Sequence, residues 1–146
     1  MRGLFSTVAA AAAALGGNAW AELPVLSLNA GIHLIRAEVA YTFDTRAKGL
    51  MFRETLGPND GMLFIFPDEA RHCMWMRNTL IPLSVAFIDR RGAIVNVQEM
   101  KPRTEESHCS ARAVPYALEM NSNWFASKGL KPGARVGGIE KAPPPQ

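Results

Sequence analysis

Short apolar runs, each closed by turn-forming residues, constrain this chain more than any other feature. Met62 to Phe66 ends in Pro67-Asp68, Leu83 to Ile88 ends in Asp89-Arg90-Arg91-Gly92, and Ala93 to Val97 follows at once. Runs of this length suit strands rather than globular helices, and the Asp-Arg-Arg-Gly link has hairpin composition. His72 to Met76 and Tyr116 to Met120 repeat the pattern. His33 to Tyr41 alternates, with Leu34, Arg36 and Glu38 interleaving Ile35, Ala37 and Val39, which predicts an amphipathic strand. Glu22 to Asn29 reads as an extended lead-in and Ala134 to Ile139 as a last strand.

Helical signals are sparse. Asp44 offers an N-cap to a helix that Leu50, Met51 and Glu54 continue to Leu56, weakened by Gly49. Ser122 to Lys128 fits one short helix, whereas Gly57-Pro58-Asn59-Asp60-Gly61 is a turn by composition. Pro102 to Val114 is polar and irregular, a long loop that needs anchoring. The pattern predicts an α+β fold: a single compact β-rich domain over 32–139, mostly antiparallel sheet or small barrel, with one or two short helices. Residues 140–146, with three consecutive prolines, are expected to form a disordered tail.

Composition narrows the function classes. The chain has 146 residues, 48% apolar and 20% charged, which excludes disorder and leaves no room for a two-domain dinucleotide enzyme. Sixteen basic against thirteen acidic side chains, written 16 − 13 = +3, are scattered rather than gathered in a stripe. Nucleic acid is therefore not an expected partner.

Residues 1–21 read as a secretory signal peptide. Arg2 precedes the apolar stretch Ala9 to Leu15, then come Gly16-Gly17-Asn18 and the small-x-small ending Ala19-Trp20-Ala21. The run is too short for a comfortable membrane span, which takes about 20 residues. Cleavage after Ala21 would leave 146 − 21 = 125 residues with net charge 15 − 13 = +2, exported to a periplasm or beyond and without stable membrane insertion. Both Cys73 and Cys109 survive it, and an even pair in an oxidising compartment points to a structural disulfide. Their spacing of 109 − 73 = 36 positions gives a loop whose closure contributes about 4 kcal/mol in the chain-entropy model.

Chemistry-bearing residues concentrate in Arg71-His72-Cys73-Met74-Trp75-Met76-Arg77-Asn78-Thr79. Arg77, Asn78 and Thr79 could grip an anion or a hydroxylated ligand, although backbone carbonyls holding the turn before Pro82 are the simpler use for them. Asp60 and Glu119 are the best acid–base candidates. Glu119 lies between Leu118 and Met120, so an inward orientation would call for a partner, and Arg53 or Arg77 could supply one. Methionines 62, 74, 76, 100 and 120 with His72, His108 and the cysteines form a soft-donor inventory that suits Cu(I), but methionine also fills irregular cores. No zinc, P-loop, dinucleotide or serine-hydrolase signature occurs, so neither a metal site nor a cofactor is expected.

Three linked motifs resemble one family. Gly49-Leu50-Met51-Phe52-Arg53, Gly61 to Phe66 and Trp75-Met76-Arg77-Asn78-Thr79-Leu80-Ile81-Pro82-Leu83 come in order. Phe87-Ile88-Asp89, Gly92-Ala93-Ile94-Val95 and Tyr116-Ala117-Leu118-Glu119-Met120 follow. Together, over about 32–139, they resemble the domain-of-unknown-function family 192. The resemblance implies a compact β-rich fold with a short helix near Arg53 and implies no reaction. Its pattern falls on Arg53, Asp60, Trp75 to Thr79 and Glu119. Ser84 departs from it, standing where many members carry an aspartate, and the cysteine pair resembles a feature of a subset.

These readings converge on a non-enzymatic exported domain binding a small or polymeric cell-envelope ligand, with Arg53, Asp60, Arg77, Asn78 and Glu119 around one groove. A hydrolase or lyase acting on envelope carbohydrate through Asp60 and Glu119, and Cu(I) binding, are the alternatives.

Overall fold

Alternation and turn chemistry set the architecture of residues 22–146, the part that the computed structural model describes. The expected signal peptide, residues 1–21, lies outside the described residues. In chain order come β1 (Val25–Ala30), β2 (His33–Ala40), α1 (Phe43–Lys48), β3 (Asp60–Ala70), β4 (Cys73–Met74) and β5 (Leu83–Ile88). Then follow β6 (Ile94–Met100), β7 (His108–Cys109), β8 (Val114–Asn121), α2 (Trp124–Ser127) and β9 (Val136–Gly137). A 3-10 turn occupies Ile139–Lys141. The main sheet has the order β6-β5-β8-β3-β2-β1-β9, and β4 with β7 forms a separate two-stranded ribbon.

The sheet is mixed rather than purely antiparallel. β2 and β3 run parallel, pairing Arg36 with Asp60 through Ala40 with Phe64. A parallel pair demands a crossover instead of a hairpin, and residues 41–59 provide it, carrying α1 across one face of the sheet. At the other end of the chain, Ala134 to Val136 serves both sheet edges. Val136 pairs with Ala30 of β1, while Val136 N–H donates to Gly92 O and Ile94 N–H to Ala134 O, both at 2.8 Å. The sheet therefore curls until its edges meet at one end. Gly92 permits this approach: its φ is +84°, and a Cβ there would press on the Val136 carbonyl oxygen.

Strand alternation sorts the core into two clusters. Leu63, Ile65, Ala86, Ile88, Leu118 and Met120 face the inside of the curl, capped by Trp124 and Phe125 of α2. Met62, Phe64, Val85, Phe87 and Ala117 face outward yet are also buried. Such a doubly buried sheet needs a cover, and the crossover with the β4–β7 ribbon supplies it.

Three local expectations are corrected. The helix expected from Asp44 to Leu56 spans only Phe43–Lys48, because Thr42, not Asp44, caps it. Thr42 Oγ1 accepts from Thr45 N–H at 3.2 Å and Thr45 Oγ1 accepts from Thr42 N–H at 3.0 Å, a reciprocal capping box. Gly49, at φ +49°, ends the helix and lies against the Phe64 ring, where a Cβ would sit 3.2 Å from Cζ. The expected strand His72 to Met76 shortens to Cys73–Met74, since Met76 N–H bonds instead to Thr104 O at 3.0 Å. The tail read as disordered is placed against the body: Gln146 N–H donates to Tyr41 O at 2.7 Å, and Arg46 Nη2 donates to Gln146 O at 2.8 Å. Among the described residues no helix is long and apolar enough to cross a membrane.

Candidate functional site

β8 is a central strand, flanked by β5 and β3. On its covered face Glu119 stands between Met62 of β3 and Val85 of β5. A carboxyl in that row has no route to bulk solvent except through the cover. It is 4% exposed, and burial alone pushes its pKa up to about 8. The neutral acid is therefore its main form at pH 7.

Above it the cover leaves a cavity of about 260 Å3. One wall is α1 and the turn after it, from Phe43 to Met51; the other is the ribbon and loop from Cys73 to Thr79, with Phe64 and Phe66 of β3 between them. Among the described residues, Glu119 is the single carboxyl of this lining. Phe43 and Trp75 are 76% and 46% exposed, so two aromatic rings stand at the cavity rather than inside a core. Phe66 is held by stacking on His72, with centroids 3.7 Å apart.

The two walls are joined at a strained point. Phe52 N–H donates to Asn78 O at 2.9 Å, and both residues are left-handed, with φ +66° and +54°. Asparagine tolerates that region, whereas a phenylalanine there is unusual and costs about 1–3 kcal/mol. The ribbon wall is secured separately: Cys73 and Cys109, opposite each other in the β4–β7 register, are disulfide-bonded with sulfurs 2.05 Å apart. Asn96 Nδ2 and Gln98 Nε2 of β6 both donate to Cys109 O, at 3.1 and 3.0 Å. This is the anchoring that the long polar loop required.

The five expected site residues do not share one groove. Glu119 lines the cavity just described. Arg53 lines a second depression and pairs with Glu38, Nη1 to Oε2 at 2.5 Å. Arg77 and Asn78 line a third, with Arg77 5.5 Å from the Trp75 ring centroid and 3.7 Å from a Glu105 oxygen. Neither arginine neutralises Glu119, contrary to expectation, because each has its own acid. Asp60 lines none of the three. It shares the face of Glu119 by strand alternation, but its carboxylate is folded over Gly57, where a Cβ would collide with it. What unites the depressions is the 48–53 loop: Gly49 and Met51 border the first two, and Phe52 borders the second and third.

The motif Trp75 to Thr79 divides its labour accordingly. Met76 is fully buried as an anchor, the Asn78 carbonyl holds the crossover, and Trp75 and Thr79 face the cavity. Thr79 Oγ1 donates to Arg77 O at 3.2 Å, so part of the motif serves the backbone turn. Ser84 belongs to the other face of β5. Its hydroxyl lies 2.5 and 2.6 Å from the two Glu99 carboxylate oxygens and accepts from Asn123 N–H at 2.8 Å. A carboxylate is thus delivered there from β6, away from the cavity. Phe43 and Phe66 were absent from the sequence-based site; an exposed phenylalanine at a helix start was the available signal for the first.

The comparisons with known proteins agree with this architecture. The model of DUF192, described as an uncharacterized ACR family, matches residues 25–138. Among solved structures, a protein of unknown function from Novosphingobium aromaticivorans DSM 12444 superposes with a TM-score of 0.75 at 32% identity, covering 92% of this chain and 99% of that one. A candidate transcription regulator from Sinorhizobium meliloti 1021 superposes with a TM-score of 0.73 at 33% identity, covering 79% and 92%. No curated protein matches. With its motifs, its matched span and its fold in agreement, the chain belongs to the DUF192 family.

Proposed function

We propose that this chain is an exported domain that binds a small cell-envelope molecule in the cavity above Glu119, without transforming it. The observation that carries the reading is a buried carboxyl, in no ion pair among the described residues, at a cavity bordered by aromatic rings. Concave sites that set polar groups among apolar and aromatic walls are the usual form of small-molecule sites. Export is supported by the Cys73–Cys109 bridge, which persists in oxidising compartments, and by the leader-like residues 1–21.

Carbohydrate hydrolysis fits less well. It takes two carboxyls flanking one bond, and Asp60 is turned away onto Gly57 while, among the described residues, Glu119 has no second acid in its cavity. The Sinorhizobium relative is described as a candidate transcription regulator; the helices here, of six and four residues, are too short to fill a DNA major groove.

The test is a protein-observed 1H–15N titration with a library of neutral, cationic and anionic fragments. Binding should shift the amides of Gly49, Thr79 and Glu119 and the Trp75 indole together. Ala47→Trp, placed on the exposed side of the cavity lining, should abolish those shifts. Shifts that survive Ala47→Trp, or that cluster elsewhere, would overturn the assignment.

One observation favours Cu(I) as a second reading. His108 is buried and its Nε2 has no partner, while Nδ1 lies 3.0 Å from Gln98 Oε1. Met74 stands directly opposite His108 in the ribbon. Both thiols are consumed by the disulfide, so thioethers and this imidazole would be the ligands. Anaerobic Cu(I) titration of the native protein and His108→Leu decides it: equal uptake by both, or none, removes the reading.

A further inference from the structure

We propose that the Glu119 cavity is selective for a small organic cation, an amine or quaternary ammonium with few other polar groups, for which Glu119 is the counter-ion. This rests on the cavity being the ligand site.

Among the described residues no ion pair reaches Glu119, and its nearest candidate partners are engaged elsewhere. Arg53 is paired with Glu38 and Arg77 lies beside Glu105. Arg46, which lines the cavity, spends its guanidinium on the carbonyls of Tyr41, Ile65 and Gln146 at 2.6, 3.0 and 2.8 Å. The strands beside Glu119 oppose it with Met62 and Val85. On the ribbon side, His72 is stacked on Phe66 and Cys73 is bridged. Lys48 also lines the cavity, yet neither it nor Arg46 contributes to the displacement of Glu119, which burial alone causes. A buried carboxyl that no cation among the described residues pairs with is complementary to a cation brought by a ligand.

The remaining lining points the same way. A sugar-like ligand buries many hydroxyls, and each left without a partner costs about 1–3 kcal/mol. Among the described residues, besides Glu119, Arg46 and Lys48, the lining offers only the Trp75 indole N–H and the Thr79 hydroxyl as polar side-chain groups, and that hydroxyl already donates to Arg77 O. Four aromatic rings, Phe43, Phe64, Phe66 and Trp75, make up much of the rest. Such rings attract ammonium groups through their quadrupoles, and Trp75 already has the Arg77 guanidinium beside it.

Binding has a proton balance. The neutral carboxyl gives up its proton to the buffer as the cation arrives, and no covalent bond forms or breaks other than this O–H bond.

Three probes of one shape separate the possibilities: choline, its neutral isostere 3,3-dimethylbutan-1-ol, and the anion 3,3-dimethylbutanoate. Calorimetric titration of the purified protein at pH 6.5, in buffers of different ionisation enthalpy, should show choline binding about tenfold or more tighter than the alcohol. Close to one proton should be released per choline bound. Glu119→Gln should lose that preference and the proton release. Trp75→Leu, at a half-exposed position, should weaken choline more than the alcohol, which keeps the test independent of how Glu119→Gln folds. An alcohol or carboxylate that binds as tightly as choline, with shifts at Gly49 and Thr79, overturns the cation while leaving the cavity as the site. Failure of all three probes overturns the cation, and failure of the wider fragment library as well removes the cavity reading.

Discussion

Glu119→Gln should make the domain less sensitive to alkaline pH, and the effect can be worked from the burial of one carboxyl. In the unfolded chain this group titrates near 4.5; in the folded protein burial raises it to about 8. Between those values the folded state holds the proton more tightly, so stability falls as pH rises. The slope is about 1.4 kcal/mol per pH unit, and the span of roughly 3.5 units accumulates nearly 5 kcal/mol. Below pH 4.5 the penalty vanishes, and above pH 8 it is complete. Glutamine keeps the shape and cannot ionise. Urea unfolding of both proteins at half-unit steps from pH 5 to 8.5 gives the difference in unfolding free energy directly. Every other group is common to both proteins and cancels in that difference. The variant should gain on the wild type continuously with pH, by several kcal/mol at the alkaline end. A difference that stays flat across the window would mean that the folded carboxyl is solvated, and the account of the cavity would fail with it.

Other consequences are independent of the ligand. Replacing Cys73 and Cys109 together by alanine should lower stability by about 4 kcal/mol, from the loop-entropy term for 36 residues of separation; a loss under about 1 kcal/mol in chemical denaturation would show that the ribbon is held without the bridge. Thr42→Ala removes the capping box and should cost about 1 kcal/mol, read from the same curves, with no loss contradicting the assigned helix start. Gly92→Val forces a side chain at φ +84° against the Val136 carbonyl. It should destabilise by more than about 1 kcal/mol and speed amide exchange at Ile94 and Val136, whereas unchanged exchange there would refute the meeting of the sheet edges.

Much of the strand layout was legible because its causes are local. Leu83 to Ile88 and the Asp89–Gly92 turn needed only an apolar run and turn chemistry, and Asp89 Oδ1 does hold the turn by accepting from Arg91 and Ala93 N–H, both at 2.9 Å. The parallel β2–β3 pair was illegible, since pairing direction depends on where a crossover packs and not on alternation. α1 was overextended because Thr42 and Thr45 cap reciprocally, a pattern weaker in sequence than the acid at Asp44. The disulfide could be inferred from compartment and parity, both global properties. Of the five site residues, only Glu119 had an inward orientation questioned in the sequence reading. The grouping with Arg53 and Arg77 failed because Glu38 and Glu105 lie closer in space than any reading of spacing can show.

The departures from ordinary fold-building converge on one place. Phe52 is held left-handed at a cost of about 1–3 kcal/mol, and the ionised form of Glu119 is penalised by several more. Phe43 and Trp75 remain exposed to water beside the same cavity. Against a total stability of about 5–15 kcal/mol for a typical domain, these are large local sacrifices. Packing does not demand them: methionine at 119 would match Met62 opposite it and remove the carboxyl's penalty. A conflict between local preference and fold that recurs in neighbouring residues marks them as the positions to test for function. Glu119 and its aromatic border lie at that cavity, and the Phe52–Asn78 hydrogen bond ties its covering loop to the two neighbouring depressions.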